Sequence, residues 1–375
     1  MIYFDSAATT PVCREASQAV MKALESEFGN PSSRHFLGVR AGEVLEEHRA
    51  VIAKRLGAAK EEIYFTSGGT EANNLAVFGA VQAQRKYRNK KRIVISAIEH
   101  ASVEESAKQL ELQGYEVIRL QADRHGNISP AALAEAIDEN TILVSMMLVN
   151  NELGSILPAQ MVPGIIRAKQ APALFHCDCV QAFCKQPFTV KSLGADLVSI
   201  SAHKIFGPKG IGALFVKKGT RILPHTFGGE QEGKIRPGTQ ATALIAGFAA
   251  AVQAYDTKQY LENVKQLKSH ARERLAEMEG IVFNSDENAS AYILNFSVPG
   301  YRSEILLNYF SSKGICVSAG SACAKGKPSH VLRAVSEDAA ITDSAIRLSF
   351  MHSNTKEEID EFACQLQSAL NTLAH

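Results

Sequence analysis

LVSISAHKIFGPKGIG, residues Leu197–Gly212, decides how this chain is read. The apolar and small residues from Leu197 to Ala202 spell a buried strand that stops at His203-Lys204. Gly207-Pro208-Lys209-Gly210 then turns the chain, and Ile211–Val216 reads as the next strand. A lysine at the end of an apolar strand has two uses. It snorkels to water along its stem, or it is kept from water, where it gives up its proton more readily and attacks carbonyl groups. Upstream, Phe175-His176-Cys177-Asp178 is a second apolar strand, and it ends in a carboxylate. A lysine that condenses with an aldehyde and an acid that pairs with a pyridinium nitrogen are the two groups pyridoxal phosphate chemistry requires.

The full 375 residues have room for one large domain and a smaller companion. Forty basic side chains against 39 acidic ones leave a net charge of +1, which is no electrostatic footprint for nucleic acid or an acidic membrane. No apolar run reaches membrane-spanning length. The opening MIYFDSAATTP lacks a basic start and meets Asp5 early, so it does not read as a signal peptide. The expectation is a cytoplasmic protein. Seven scattered cysteines, an odd number, read as reduced thiols rather than a disulfide framework.

Helical spacing runs over Pro11–Phe28 and again from about Gly38 to Leu56, on either side of the loop signal Asn30-Pro31-Ser32-Ser33. Glu62–Thr66 is a short strand, followed by Ser67-Gly68-Gly69-Thr70 and a helix. A strand, a glycine turn and a helix N-terminus make an anion site, although Thr70 also serves as a simple helix cap. Strands are expected at Arg92–Ala97, Tyr115–Leu120, Thr141–Val149 and Ala173–Asp178, with helical patterns between them. This alternation predicts an α/β fold with a mainly parallel sheet flanked by helices, and in such sheets ligands lie beyond the carboxyl ends of the strands. His100, Asn150, Asp178, Lys204 and the Gly69-Thr70 turn all fall there.

Beyond Val216, Gly228-Gly229-Glu230 to Arg236-Pro237-Gly238-Thr239 is a glycine-rich loop, suited to a phosphate or to solvent. Thr242–Met278 is helical in pattern. The chain then changes character, with short strands at Tyr292–Val298 and Gly314–Val317 around a helix from Ser303, as a smaller α/β domain would. The boundaries expected are 12–255 for the large domain, and 1–11 with 256–375 for the small one. Ser318–Pro328 is small and without apolar periodicity, and it carries Cys323, a thiol placed as a nucleophile would be. Arg347, on the short strand Ala345–Ser349, suits a substrate carboxylate or an ion pair inside the small domain. His176, Cys177, Cys179 and Cys184 follow no zinc spacing, and no metal is expected.

In order and spacing, DSAATTP, GNPSSRH, FTSGGTEANNLA, EHASV, VNNELG, HCDCVQ, SAHKIFGPKG, IRPGT, GSAC and IRLSF resemble the cysteine desulfurases, pyridoxal 5'-phosphate enzymes of the aminotransferase class V family. The resemblance runs from residue 3 to about residue 350. It implies a fold type I homodimer that converts L-cysteine to L-alanine. By position, Lys204 looks like the Schiff-base lysine, Asp178 the pyridinium partner and His100 the residue stacked on the ring. Asn150 and Gln181 look like the groups bonded to the ring hydroxyl. Gly69, Thr70, Ser201 and His203 look like the phosphate cradle, with Thr239 reaching in from the other subunit. Asn30, Asn150 and Arg347 look like substrate contacts, and Cys323 looks like the loop nucleophile that holds sulfur as a persulfide. An iron–sulfur scaffold or a tRNA-thiolation protein is the implied acceptor. A selenocysteine lyase or another class V enzyme is the alternative reading.

Overall fold

The computed structural model describes residues 1–87, 89–320 and 329–373. In chain order the strands are β1 (Ile2–Tyr3), β2 (Ile63–Thr66), β3 (Arg92–Ser96), β4 (Glu116–Leu120), β5 (Thr141–Ser145), β6 (Leu174–Asp178), β7 (Leu197–Ser201), β8 (Gly212–Val216), β9 (Val282–Phe283), β10 (Ile293–Ser297), β11 (Ile315–Cys316) and β12 (Ala345–Ser349). Seven of them form one sheet in the order β2-β8-β7-β6-β5-β3-β4. Only β8 runs against the rest, pairing antiparallel with both β2 and β7. The reason lies in the stretch Leu197–Gly212. A ten-residue connection built on Gly207–Gly210 folds β8 straight back along β7, whereas parallel neighbours need a longer crossover.

The sheet is buried on both faces, and its alternation shows which helices cover each. Ile93 and Ile95 pack with Ala72, Leu75, Val77, Ala107 and Leu110 from the helices Gly69–Ala83 and Ala101–Leu112. Val94, Val144, Phe175 and Ile200 face the opposite way, into a core with Ile52, Leu56, Ile245 and Phe248. β4 is added on one side of β3, while β5, β6 and β7 lie on the other. The chain therefore reverses its direction of build between β3 and β5, and a crevice opens there at the carboxyl ends of the strands.

A separate core joins the two ends of the chain. Phe4 and Ala7 pack with Leu267, Ile293, Phe296, Phe310, Leu348 and Phe362. β10 lies between β9 and β12, and β1 pairs with β11. The helical pattern over Thr242–Met278 is not one helix but two, Thr242–Ala254 and Thr257–Ala276. Asp256 breaks it by capping the second helix, its carboxylate accepting from Gln259 N at 3.0 Å. The β5 strand also stops at Ser145, four residues short of the expected Val149, because residues 146–151 bend over the end of the sheet. No helix among the described residues is long and apolar enough to cross a membrane.

Candidate active site

A cavity of about 260 Å³ lies at the crevice. Gly69, Thr70, His100, Asp178, Gln181, Ser201, His203 and Lys204 line it from the sheet side, and Ala7, Ala8 and Arg347 line it from the core that joins the termini. The strand ends thus bring together most of the residues singled out in the sequence.

Asp178 ends β6 and is nearly enclosed, at 4% exposure. Its two oxygens accept from Asn73 Nδ2 at 2.7 Å and from Val180 N at 2.9 Å. Each bond to a charged acceptor contributes about 1.5–3 kcal/mol, so the carboxylate is held in place by its own surroundings. The same Asn73 amide donates to Ser102 Oγ, which lies 2.8 Å from His100 Nδ1. Asn73 therefore couples the acid to the imidazole. Periodicity read it only as one residue of a helix, and its role shows only once that helix is laid across β6. Burial holds the His100 pKa down, against the pull of Asp178, which favours the neutral ring at the cavity.

Lys204 Nζ donates to the carbonyls of Ala7 and Ala8, both at 2.7 Å. Gln181 Nε2 donates to the same Ala7 carbonyl at 2.9 Å. His203 lies beside Thr9 Oγ1, and burial with the charge of Lys204 pushes its pKa down to about 3. Arg347 is 1% exposed. Its Nη1 donates to Asn151 O at 2.8 Å and its Nη2 to Asp5 Oδ1 at 2.7 Å, while Nε has no partner. Arg347 thus forms the ion pair of one reading, with Asp5, and lines the cavity with its Nε buried and unpartnered.

Two residues expected in this cavity are not in it, and a third, Thr239, is expected in the other subunit's. Asn150, expected at the ring hydroxyl and the substrate, is turned away. Its Nδ2 donates to Ile98 O, and its Oδ1 accepts from Glu152 N and Leu153 N, so the side chain is fully used in fastening the loop. The neighbouring Asn151 lines the cavity instead, with a buried Oδ1 that has no partner. Asn30 is exposed, and its side-chain Oδ1 accepts from Ser32 N at 2.9 Å. Thr239 is exposed on its loop, and Arg236 beside it pairs with Glu71 at 3.0 Å rather than standing open to an anion. Cys323 lies outside the described residues.

The cysteines around Asp178 belong to the interior. Cys177 and Cys179 are fully buried with their sulfurs 3.6 Å apart, and burial raises the Cys179 pKa well above that of a free thiol. His176 has both ring nitrogens against serines, Ser145 at 2.8 Å and Ser199 at 2.9 Å. Among the described residues no three His, Cys, Asp or Glu side chains are placed to hold a metal ion.

The residues fit pyridoxal phosphate. Gly68, at φ +154°, leads into the N-terminus of the 15-residue helix Gly69–Ala83. A Cβ on Gly69 would stand 2.8 Å from Val180 Cγ2, so only glycine keeps that approach open to an anion. Ser201 Oγ is buried without a partner beside it. An acid for a ring nitrogen, an amine for an aldehyde and a cradle for a phosphate are thus in one place, the combination that defines fold type I pyridoxal phosphate enzymes.

Comparison with known proteins narrows this. The aminotransferase class-V family model matches residues 2–362. The cysteine desulfurase IscS of Dictyoglomus turgidum is 39% identical over 96% of this chain and 92% of its own. A solved NifS-like protein superposes with a TM-score of 0.93 at 34% identity, over 99% of this chain and 100% of its own. SspA, solved in complex with cysteine, has a TM-score of 0.83 at 32% identity, over 95% and 100%. The chain belongs to the aminotransferase class-V family, among its pyridoxal phosphate-dependent cysteine desulfurases.

Proposed function

We propose that the protein converts L-cysteine to L-alanine and passes the sulfur, carried as a persulfide on Cys323, to an iron–sulfur scaffold or a tRNA-thiolation protein. The observation that carries this reading is the meeting of Lys204, Asp178 and Arg347 on one cavity. Bound there, pyridoxal phosphate supplies an aldehyde for an amine and a ring that takes up electrons from the substrate's α-carbon. Asp178 holds a proton at the ring nitrogen, steadied by Asn73 and Val180 N. His100 offers its flat neutral face. Ser201 Oγ, His203 and the backbone at Gly69 and Thr70 receive the phosphate.

Lys204 Nζ would be the amine that bonds the aldehyde and, when not so engaged, the base that removes the α-proton and later returns one. The Arg347 guanidinium takes the substrate carboxylate. The Cys323 thiolate attacks the substrate sulfur, so that a sulfur–sulfur bond forms as the carbon–sulfur bond breaks. The remaining carbon fragment takes up protons and leaves as alanine. Two copies complete the enzyme, with Thr239 of each serving the other. The apolar side chains exposed on the helices Arg14–Ser26 (Met21, Leu24) and Phe36–Leu56 (Phe36, Val39) favour such a pairing. The free thiols among the described residues favour the cytoplasm.

The test is alanine released from L-cysteine by the holoenzyme and by Cys323→Ser. The wild type is expected to release alanine. The variant is expected to keep the cofactor absorbance and to form no persulfide or alanine. Wild-type turnover by the variant would remove Cys323 from the reaction. A wild type active only on selenocysteine would replace cysteine as the substrate.

A further inference from the structure

Lys185 stands one step behind the cavity, and nothing in the mechanism above uses it. It is 3% exposed, and among the described residues no carboxylate lies within ion-pair distance of it. An amine enclosed without a counter-charge is costly to the fold. The backbone is also bent to place it, because Cys184, immediately before it, sits at φ +62°, a left-handed conformation unfavourable for a residue with a side chain.

The amine points at something definite. Lys185 Nζ donates to Gln181 Oε1 at 3.3 Å. On its other side lies the ring of Tyr292, with its centroid 5.4 Å away. With its oxygen taken, the Gln181 amide must present Nε2 to the cavity side, where it meets the Ala7 carbonyl that also receives Lys204. A glutamine left to itself can turn its amide over, exchanging donor for acceptor. Burial, aided by the charges of Lys204 and Arg347, brings the Lys185 pKa down to about 7, and the amine donates whether protonated or neutral.

We propose that Lys185 is a positioning residue that fixes the Gln181 amide with its NH2 toward the cavity, so that Gln181 serves as a donor to the bound cofactor. The inference rests on the cofactor reading above. It predicts that Lys185 acts only through Gln181.

The experiment is titration of the apoenzyme with pyridoxal phosphate, followed by absorbance, with a thermal melt of each apoprotein as a check on folding. Wild type is measured first, and a wild type that does not bind overturns the cofactor reading itself. Lys185→Met is expected to weaken binding by about tenfold, the worth of one hydrogen bond. Lys185→Gln, which keeps a donor without the charge, is expected to stay within about threefold of wild type on the same scale. Adding Lys185→Met to Gln181→Met is expected to weaken binding no further than Gln181→Met alone. Wild-type affinity in a folded Lys185→Met protein, or additive losses in the double variant, overturns the inference. Where Lys185→Met does not fold, Lys185→Gln decides, and a tenfold loss there has the same result.

Discussion

The floor of the cavity, at the ends of β3, β6 and β7, is built differently from its wall, made by residues 5–8 and β12. On the floor, Asp178 receives two donors, and Asn73 ties it through Ser102 to His100. These groups are in position before any ligand arrives. On the wall, the fully buried Arg347 keeps one nitrogen unpartnered, and Asn151 beside it keeps its side-chain oxygen unpartnered. The floor also leaves Ser201 Oγ and Asn73 Oδ1 unpartnered, but both oxygens of Asp178 are already met, which suits a cofactor that stays. A wall with unmet hydrogen bonds suits a substrate that comes and goes, because its interaction is completed only when the ligand is there.

Substitutions test this contrast. The largest effect belongs to Lys204→Ala, which is expected to abolish both the cofactor absorbance and alanine release; retained absorbance would move the cofactor bond elsewhere. Arg347→Lys keeps the charge and loses the fork. Its kcat/KM for cysteine is expected to fall roughly ten- to a hundredfold, mostly through KM, with cofactor affinity unchanged. A loss of cofactor affinity there would make the wall part of the floor. Asn73→Ala is expected to do the reverse, weakening cofactor binding by about tenfold while leaving KM near wild type.

The smallest effect is one of pH. Glu99, beside His100, is completely buried, and desolvation lifts its pKa to about 8, against about 4.3 for a free side chain. The folded state therefore keeps a proton that the unfolded chain releases. This contribution to stability is complete below about pH 4 and is lost as pH rises through 8. Glu99→Gln fixes the neutral form, so its apoprotein is expected to melt like wild type at pH 5 and a few degrees higher above pH 8. Parallel pH curves for the two proteins would show that Glu99 is ionised in the fold.

Much of this site is legible in the sequence because it follows from the sheet. Once β6 and β7 are recognised as apolar runs, Asp178 and Lys204 can lie only at their carboxyl ends. The fine choices are not legible. Asn150 and Asn151 are adjacent and chemically identical, and only the bend of residues 146–151 determines that the first fastens the loop and the second faces the cavity. Asn73 and Lys185 do not show in the pattern, because the first acts on a residue distant in sequence and the second is turned by an irregular backbone. The break at Asp256 is hidden because apolar spacing continues across it, while the cap that ends the pattern is a single polar residue. The reversed direction of β8, in contrast, is implicit in the shortness of the Gly207–Gly210 turn.

The joining of the two ends of the chain has a consequence for biosynthesis. Ser6 Oγ donates to the carbonyl of Phe350, 344 residues later, and Asp5 meets Arg347 across 342. The first residues made by the ribosome therefore complete their docking only with nearly the last. Ala7 and Ala8, which receive Lys204, are carried by that same opening segment. Its contact with Lys204 can form once β7 has been made, whereas its bonds to Arg347 and Phe350 await the end of the chain.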